Sequence, residues 1–198
     1  LKDDVARTAV EAFIRDRFAV AHHAQINHFL PELLALQDHH GKLAAAVGAR
    51  LALDERLFIE QYLQNPIEQA VSLITDGNVE RRQIVEVGNL ASRNAGNARL
   101  IIVAMTWLLA RQGLEWVVFT GAATLINSFQ RLGLDPLLLC DADPTRLAEG
   151  QEHWGSYYDK HPQVFVGNIR YGLEQLETSG VLARLGFPHC SVESCHAA

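Results

Sequence analysis

From Gln83 to Leu134 two short apolar runs alternate with two helical ones, and this order limits the possible fold more than any other stretch. Ile84 to Ala91 and Trp116 to Thr120 have the length and apolar character of buried strands, and Arg99 to Gln112 that of a core helix. A shorter helix ends in Arg131-Leu132-Gly133-Leu134. Between the first strand and the first helix lies a polar turn, Ser92 to Ala98, containing Gly96. Strand, turn, helix, strand presents the free N–H groups and positive dipole end of a helix to an anion, so the unit suits a phosphorylated ligand.

The flanking sequence supplies a sheet around this unit. Asp4 to Ala24 repeats apolar residues at helical spacing, and Leu33 to Leu36 with Leu43 to Leu53 predicts a β-hairpin turning at Gln37 to Gly41. Asp54 or Glu55 opens a predicted helix through Arg56 to Leu63, and Pro66 opens another in its first turn, which Thr75 to Asn78 stops. After the unit come a strand over Leu137 to Cys140, a short helix over Thr145 to Glu152, and an aromatic loop over Trp154 to Asp159. A strand over Val164 to Val166 and a last helix over Ile169 to Leu185 follow, before an irregular tail. The expectation is one α/β domain over residues 1–198, a mixed sheet with helices on both faces.

Charge and composition narrow the function. Seventeen Lys and Arg against 23 Asp and Glu give a formal charge of -6, which argues against nucleic acid as a partner. The longest apolar run, Leu100 to Ala110, falls short of the roughly 18 to 20 residues of a membrane span. With no leader-like N-terminal pattern, the expectation is a cytoplasmic protein without an integral membrane segment. Cys140 lies in an apolar strand, and Cys190 and Cys195 in the tail leave room for one disulfide at most. His22-His23 and His39-His40 are adjacent pairs whose side chains diverge on a regular element, and His189, Cys195 and His196 belong to the tail. No metal is expected.

The turn itself is informative. Gly96 lets backbone approach a bulky anion, and Ala98 keeps its side chain small. Arg99 in a first helical turn opposes the helix dipole, a cost of about 0.3–1 kcal/mol that an intervening anion would remove.

Arg93-x-x-Gly96-x-Ala98 after a strand resembles the R/Q-x-x-G-x-G/A signature of the GNAT superfamily of acyltransferases, and Phe129 to Leu134 resembles that superfamily's next motif. Over nearly its whole length the chain also resembles the thermostable hemolysin family. That resemblance is carried by Gly48 to Ala52, Leu57 to Leu63 with Pro66 to Glu68, Ile84 to Ser92, Trp116 to Thr120, Arg131 to Leu134 with Pro136, and Trp154 to Tyr158.

The family's name implies lysis of red cells, hence the alternative of a membrane-active hemolysin without catalysis. The motifs imply a GNAT-like acyltransferase, which takes its acyl group from acyl-CoA or a phosphopantetheine-linked acyl carrier protein and gives it to a small amine. The resemblance implies that Arg93, Asn94, Ala95, Gly96, Asn97, Ala98 and Arg99 hold the donor pyrophosphate, and that N–H groups near Gly88 and Asn89 polarise the thioester carbonyl. Glu86, the one ionisable residue inside its apolar strand, is a candidate general base, or else pairs with Arg50 across the sheet. Phe129 stands where the superfamily often has an acid tyrosine. Tyr157 or Tyr158 could replace it, or the thiolate could leave unaided. Trp154 to Tyr158 fits a packed lid or sheet edge as well as a substrate wall.

Overall fold

The computed structural model describes residues 4–53, 55–147 and 151–188, so the tail histidines and cysteines lie outside the described residues. The strands are β1 (Glu32–Gln37), β2 (Leu43–Leu51), β3 (Ile84–Ser92), β4 (Trp116–Gly121), β5 (Leu137–Asp141) and β6 (Gln163–Asn168). The helices are α1 (Asp4–His22), α2 (Ile67–Thr75), α3 (Ala95–Arg111), α4 (Ala123–Gln130), α5 (Ile169–Thr178) and α6 (Val181–Arg184). The strands form one sheet in the order β1-β2-β3-β4-β6-β5. Its central pair, β3 with β4, is parallel, and the other pairings are antiparallel.

Period-two alternation sorts the side chains to the two faces. Ile84 of β3 and Val118 of β4 pack with Tyr62, Ile67 and Val71 on the α2 side. Val85 and Val117 pack with Ile101, Met105 and Ile169 on the α3 and α5 side. Helix α1 covers the β1–β3 end, where Val10 and Ile14 meet Leu33, Ala46 and Ala91. The expected mixed sheet with helices on both faces is therefore present, and the β1–β2 hairpin runs in the expected place.

Several element boundaries differ from those expected. Arg56 to Leu63 is not an α-helix but a 3-10 turn over Phe58–Gln61. Leu57, Ile59, Glu60 and Tyr62 are all buried, which a single helical face cannot achieve, and side chains draw off the turn's N–H groups. Glu60 accepts from Leu57 N at 2.7 Å, while Glu86 takes the N–H groups of Phe58 and Ile59. Pro66 is the N-cap of α2, one position before the first turn. The helix expected over Thr145 to Glu152 is replaced, where described, by 3-10 turns at Pro144–Arg146 and Gln151–Trp154. The last helix breaks at Gly180, whose φ of +71° ends α5 and begins α6. His39 and His40 lie in a turn rather than on a strand, so their rings come together, with centroids 3.8 Å apart.

Two local devices hold the sheet's coverings. Arg81 donates to both oxygens of the buried Glu60 carboxylate at 2.8 Å, to Glu68 at 2.9 Å and, through Nε, to Ala52 O at 2.7 Å. Burial alone would raise the Glu60 carboxyl, but the Arg81 hydrogen bonds and the Ile67 and Leu57 amides bring its pKa down to about 2. At the other end of the molecule, the segment around Gly155 lies against the C-terminus of α1. Ser156 N donates to His22 O at 2.8 Å, and Gln25 N donates to His153 O at 2.6 Å. A Cβ on Gly155, whose φ is +52°, would stand 2.1 Å from His22 O.

Gly155→Ala is therefore expected to lower stability by about 2 kcal/mol or more in urea denaturation, from positive-φ strain and from pushing the segment off α1. The Glu60 carboxyl is lower in the folded than in the unfolded chain, so its ionisation favours folding. That contribution is complete above about pH 4.5 and fades as pH falls towards about 2. Arg81→Met, which leaves the carboxylate buried without its partner, is expected to cost about 3–5 kcal/mol at pH 7 and much less at pH 2.5.

Candidate active site

The parallel pairing of β3 with β4 runs from Ile84↔Trp116 to Val87↔Phe119 and stops there, although both strands continue. On its other edge β3 pairs with β2 at Gly48↔Gly88 and again at Ala46↔Ala91, so Val47 stands opposite two residues, Asn89 and Leu90. This is a β-bulge, which bends the strand and turns it away from β4. Asn89 takes a φ of +51° there, a conformation asparagine tolerates better than most residues. Its side chain fixes the bulge to the segment that follows α1. Oδ1 accepts from Leu30 N at 2.8 Å, and Nδ2 donates to His28 O at 3.3 Å. Gly88 and Asn89 thus lie where the strands part.

The parting opens a cavity of about 1200 Å³. Among the expected catalytic residues, Glu86, Gly88, Asn89, Tyr157 and Tyr158 all line it, joined by Phe119, Thr120, Phe129 and Tyr62. Its deeper wall is apolar, with Ile101, Met105 and Leu109 from α3 and Ile169 from α5.

Glu86 is 3% exposed and points to the same side of β3 as Ile84, toward the 3-10 turn. Its Oε1 accepts from Ile59 N and its Oε2 from Phe58 N, each at 3.0 Å. Arg50 is its cross-strand neighbour in register, but the Arg50 Nε pairs with Glu55 at 3.2 Å. The cross-sheet salt bridge is thus replaced by two backbone donors, and Arg50 acts on Glu86 only through its field. Burial pushes the Glu86 carboxyl above its ordinary range, against the two N–H donors and Arg50, which pull it down. Such a carboxylate is a stronger base than one in water.

The aromatic segment forms a wall of the cavity. Trp154, Tyr157 and Tyr158 contact one another with ring centroids 5.3–6.0 Å apart, and Trp154 also meets Phe58 at 5.8 Å. Burial raises the hydroxyl pKa of both Tyr157 and Tyr158. The residue missed in the sequence is Tyr62, whose hydroxyl lies 2.5 Å from that of Tyr158. In the sequence it stood in an apolar run that reads as a helix and within the Leu57 to Leu63 segment of the family resemblance, with nothing to mark it as a site residue. Phe129 stacks on Phe119 at 4.8 Å and so contributes an apolar ring to the cavity, with no proton to give.

The predicted pyrophosphate turn is partly built into a helix. Helix α3 begins at Ala95 rather than Arg99, so Arg99 is its fifth residue and its opposition to the dipole is weaker than expected. Asn94 is the N-cap, and its Oδ1 accepts from Asn97 N at 2.9 Å, which removes that amide from any ligand. A Cβ on Gly96 would lie 3.1 Å from the same oxygen, so the glycine makes room for the cap. The amides of Ala95 and Gly96, in the first turn, have no acceptor within the helix. Ala95 and Ala98 line the cavity, whereas Arg93, Asn94, Gly96, Asn97 and Arg99 are not in its wall. Arg93 is exposed beside the turn.

In comparison with protein families, residues 1–173 match the family described as thermostable hemolysin. The comparison with curated proteins gives no match. Among solved structures the chain is similar to BjaI, a CoA-dependent acyl-homoserine lactone synthase solved with SAM and isopentyl-CoA. Identity is 13%, over 93% of this chain and 85% of that one, with a TM-score of 0.57. It is also similar to FeeM, an N-acyl amino acid synthase from uncultured soil microbes, at 11% identity over 87% and 95% of the two chains, TM-score 0.56. A GCN5-related N-acetyltransferase from Kribbella flavida aligns at 10% identity over 84% and 94%, TM-score 0.51. The fold is GNAT-like: a mixed central sheet flanked by helices.

If Asn89 holds the bulge, Asn89→Ala loses two hydrogen bonds and places a β-carbon residue less suited to positive φ there. The expected cost is about 2 kcal/mol in chemical denaturation, with Asn89→Gly costing less because it keeps the backbone conformation.

Proposed function

Because the chain belongs to the thermostable hemolysin family and has a GNAT-like fold, we propose that it is an acyltransferase, moving an acyl group from a CoA or acyl-carrier-protein thioester to a small amine. The observation that carries the reading is the parting of β3 and β4 beside the N-terminus of α3, with a buried carboxylate on the strand that bends away. A phosphopantetheine arm laid in the parting would have its pyrophosphate near the free amides of Ala95 and Gly96, with Arg93 beside the turn. Its thioester carbonyl would lie near the backbone of Gly88 and Asn89. The apolar wall from α3 and α5 suits an acyl chain longer than acetyl. The names of BjaI and FeeM, an acyl-homoserine lactone synthase and an N-acyl amino acid synthase, support this class of donor and acceptor.

In the reaction the acceptor's ammonium gives up one proton to water, its nitrogen attacks the thioester carbonyl carbon, and backbone N–H groups at the bulge stabilise the oxyanion. Glu86 takes the second proton from the nitrogen, the C–S bond breaks, and the thiolate is protonated from the tyrosine wall. The reading needs no metal. Among the described residues no helix is long and apolar enough to cross a membrane. On the acyltransferase reading, the lysis of red cells that the family's name implies would follow from an acylated product.

Isothermal titration with a series of acyl-CoAs and acyl carrier proteins tests donor binding, and failure of both classes to bind would overturn the reading. Release of dye from liposomes by the protein alone would instead make lysis direct. Glu86→Gln is expected to lower kcat by about 100-fold while donor affinity stays within a factor of two, since the carboxamide keeps the volume and loses the base.

A further inference from the structure

With Phe129 lacking a hydroxyl, the proton for the departing thiolate must come from elsewhere in the cavity wall if a side chain supplies it. Four tyrosines reach that wall: Tyr62, Tyr157, Tyr158 and, on α5 and 49% exposed, Tyr171. They differ in what they touch. Tyr157 meets His22 edge-on at 5.3 Å and Tyr158 at 5.3 Å through its ring. Tyr62 and Tyr158, by contrast, meet hydroxyl to hydroxyl at 2.5 Å, across 96 residues of sequence.

In such a pair one hydroxyl must donate and the other accept. Tyr62 is 2% exposed, so accepting from Tyr158 would leave its own O–H buried without an acceptor, whereas the half-buried Tyr158 can turn its O–H into the cavity. Tyr62 is therefore the donor, and the O–H of Tyr158 is left to turn into the cavity. The ring of Tyr62 is held by Phe58 at 6.0 Å, and Phe58 N is itself held by Glu86. The base and the hydroxyl pair are thus fixed on one 3-10 turn.

On the acyltransferase reading above, we propose that Tyr158 is the acid that protonates the leaving thiolate and that Tyr62 is its positioning residue, holding the Tyr158 oxygen by a donated hydrogen bond. As the C–S bond breaks, its electron pair goes to sulfur, the Tyr158 proton joins that sulfur, and the Tyr158 phenolate accepts the Tyr62 hydrogen bond. The proton taken up by Glu86 from the attacking nitrogen returns to Tyr158 through water, so amine and thioester become amide and thiol with both side chains restored. The hydrogen bond from Tyr62 strengthens as negative charge develops on Tyr158, which is where a positioning group helps.

The test is a double-mutant cycle on kcat with the acyl-CoA that binds best, in the full chain with folding checked by thermal melts. Tyr158→Phe is expected to lower kcat by about 100-fold, within the range for a general acid. Tyr62→Phe, which keeps the ring and loses only the hydroxyl, is expected to lower kcat by about 10-fold with the donor KM within a factor of two. Because Tyr62 acts through Tyr158, adding Tyr62→Phe to Tyr158→Phe should cause no further loss. An unchanged kcat for Tyr62→Phe overturns the inference, as do losses that multiply, which would mark two independent structural lesions. Should Tyr62→Phe fail to fold, 3-fluorotyrosine in place of Tyr62 keeps the shape and makes a stronger donor; kcat should rise, and an unchanged kcat overturns the inference. Absence of any turnover by the wild-type chain would be a different result, overturning the acyltransferase reading itself.

Discussion

Strands β3 and β4 pair in parallel for four residues and then separate because β3 has one residue more than its antiparallel partner β2 can match. That surplus at Asn89–Leu90 is the constraint on which the cavity depends. A parallel sheet normally leaves no room between strands, since adjacent backbones lie about 4.8 Å apart. The bulge trades ladder hydrogen bonds for a gap, and Asn89 recovers part of the loss by bonding Leu30 and His28. Glu86 precedes the gap by two residues, and the turn before α3 follows it. Base, carbonyl-binding backbone and helix N-terminus are thereby set in order along one strand.

The 3-10 turn at Phe58–Gln61 organises the other wall. It is fixed from two sides by carboxylates, Glu60 from within and Glu86 from β3, which between them accept the N–H groups of Leu57, Phe58 and Ile59. The two acids are displaced in opposite directions by their surroundings. Glu60 has Arg81 and stays ionised to about pH 2, whereas Glu86 has only two backbone donors and the field of Arg50, which is paired with Glu55, against its burial. One carboxylate is therefore committed to structure, and the other keeps a proton affinity useful for chemistry.

Much of the architecture was legible in the sequence because it rests on local patterns. Apolar runs marked all six strands, and the order of elements gave the mixed sheet. The 3-10 turn was not legible, because Leu57, Phe58, Ile59 and Tyr62 have helical spacing while the hydrogen bonds that unwind them come from Glu86, 27 and 28 residues away. The start of α3 was misplaced for a related reason: Asn94 is a strong N-cap, but a reading focused on Gly96 as a ligand contact treated the first helical turn as loop. At the site, Glu86, Gly88 and Asn89 stood out as a lone acid and as the place where a related strand splays. The partner of Tyr158 did not, since nothing in sequence relates Tyr62 to a residue 96 positions away.

The contact between Gly155 and the end of α1 joins segments far apart in sequence. Ser156 and His22 are 134 residues apart, among the most distant pairs joined by a hydrogen bond in this chain. Contacts of that span close a long loop, an entropic cost that the assembled sheet between them shares. The wall carrying Trp154, Tyr157 and Tyr158 is thus anchored to α1 by contacts of long sequence separation, whose formation depends on the sheet that brings the two segments together.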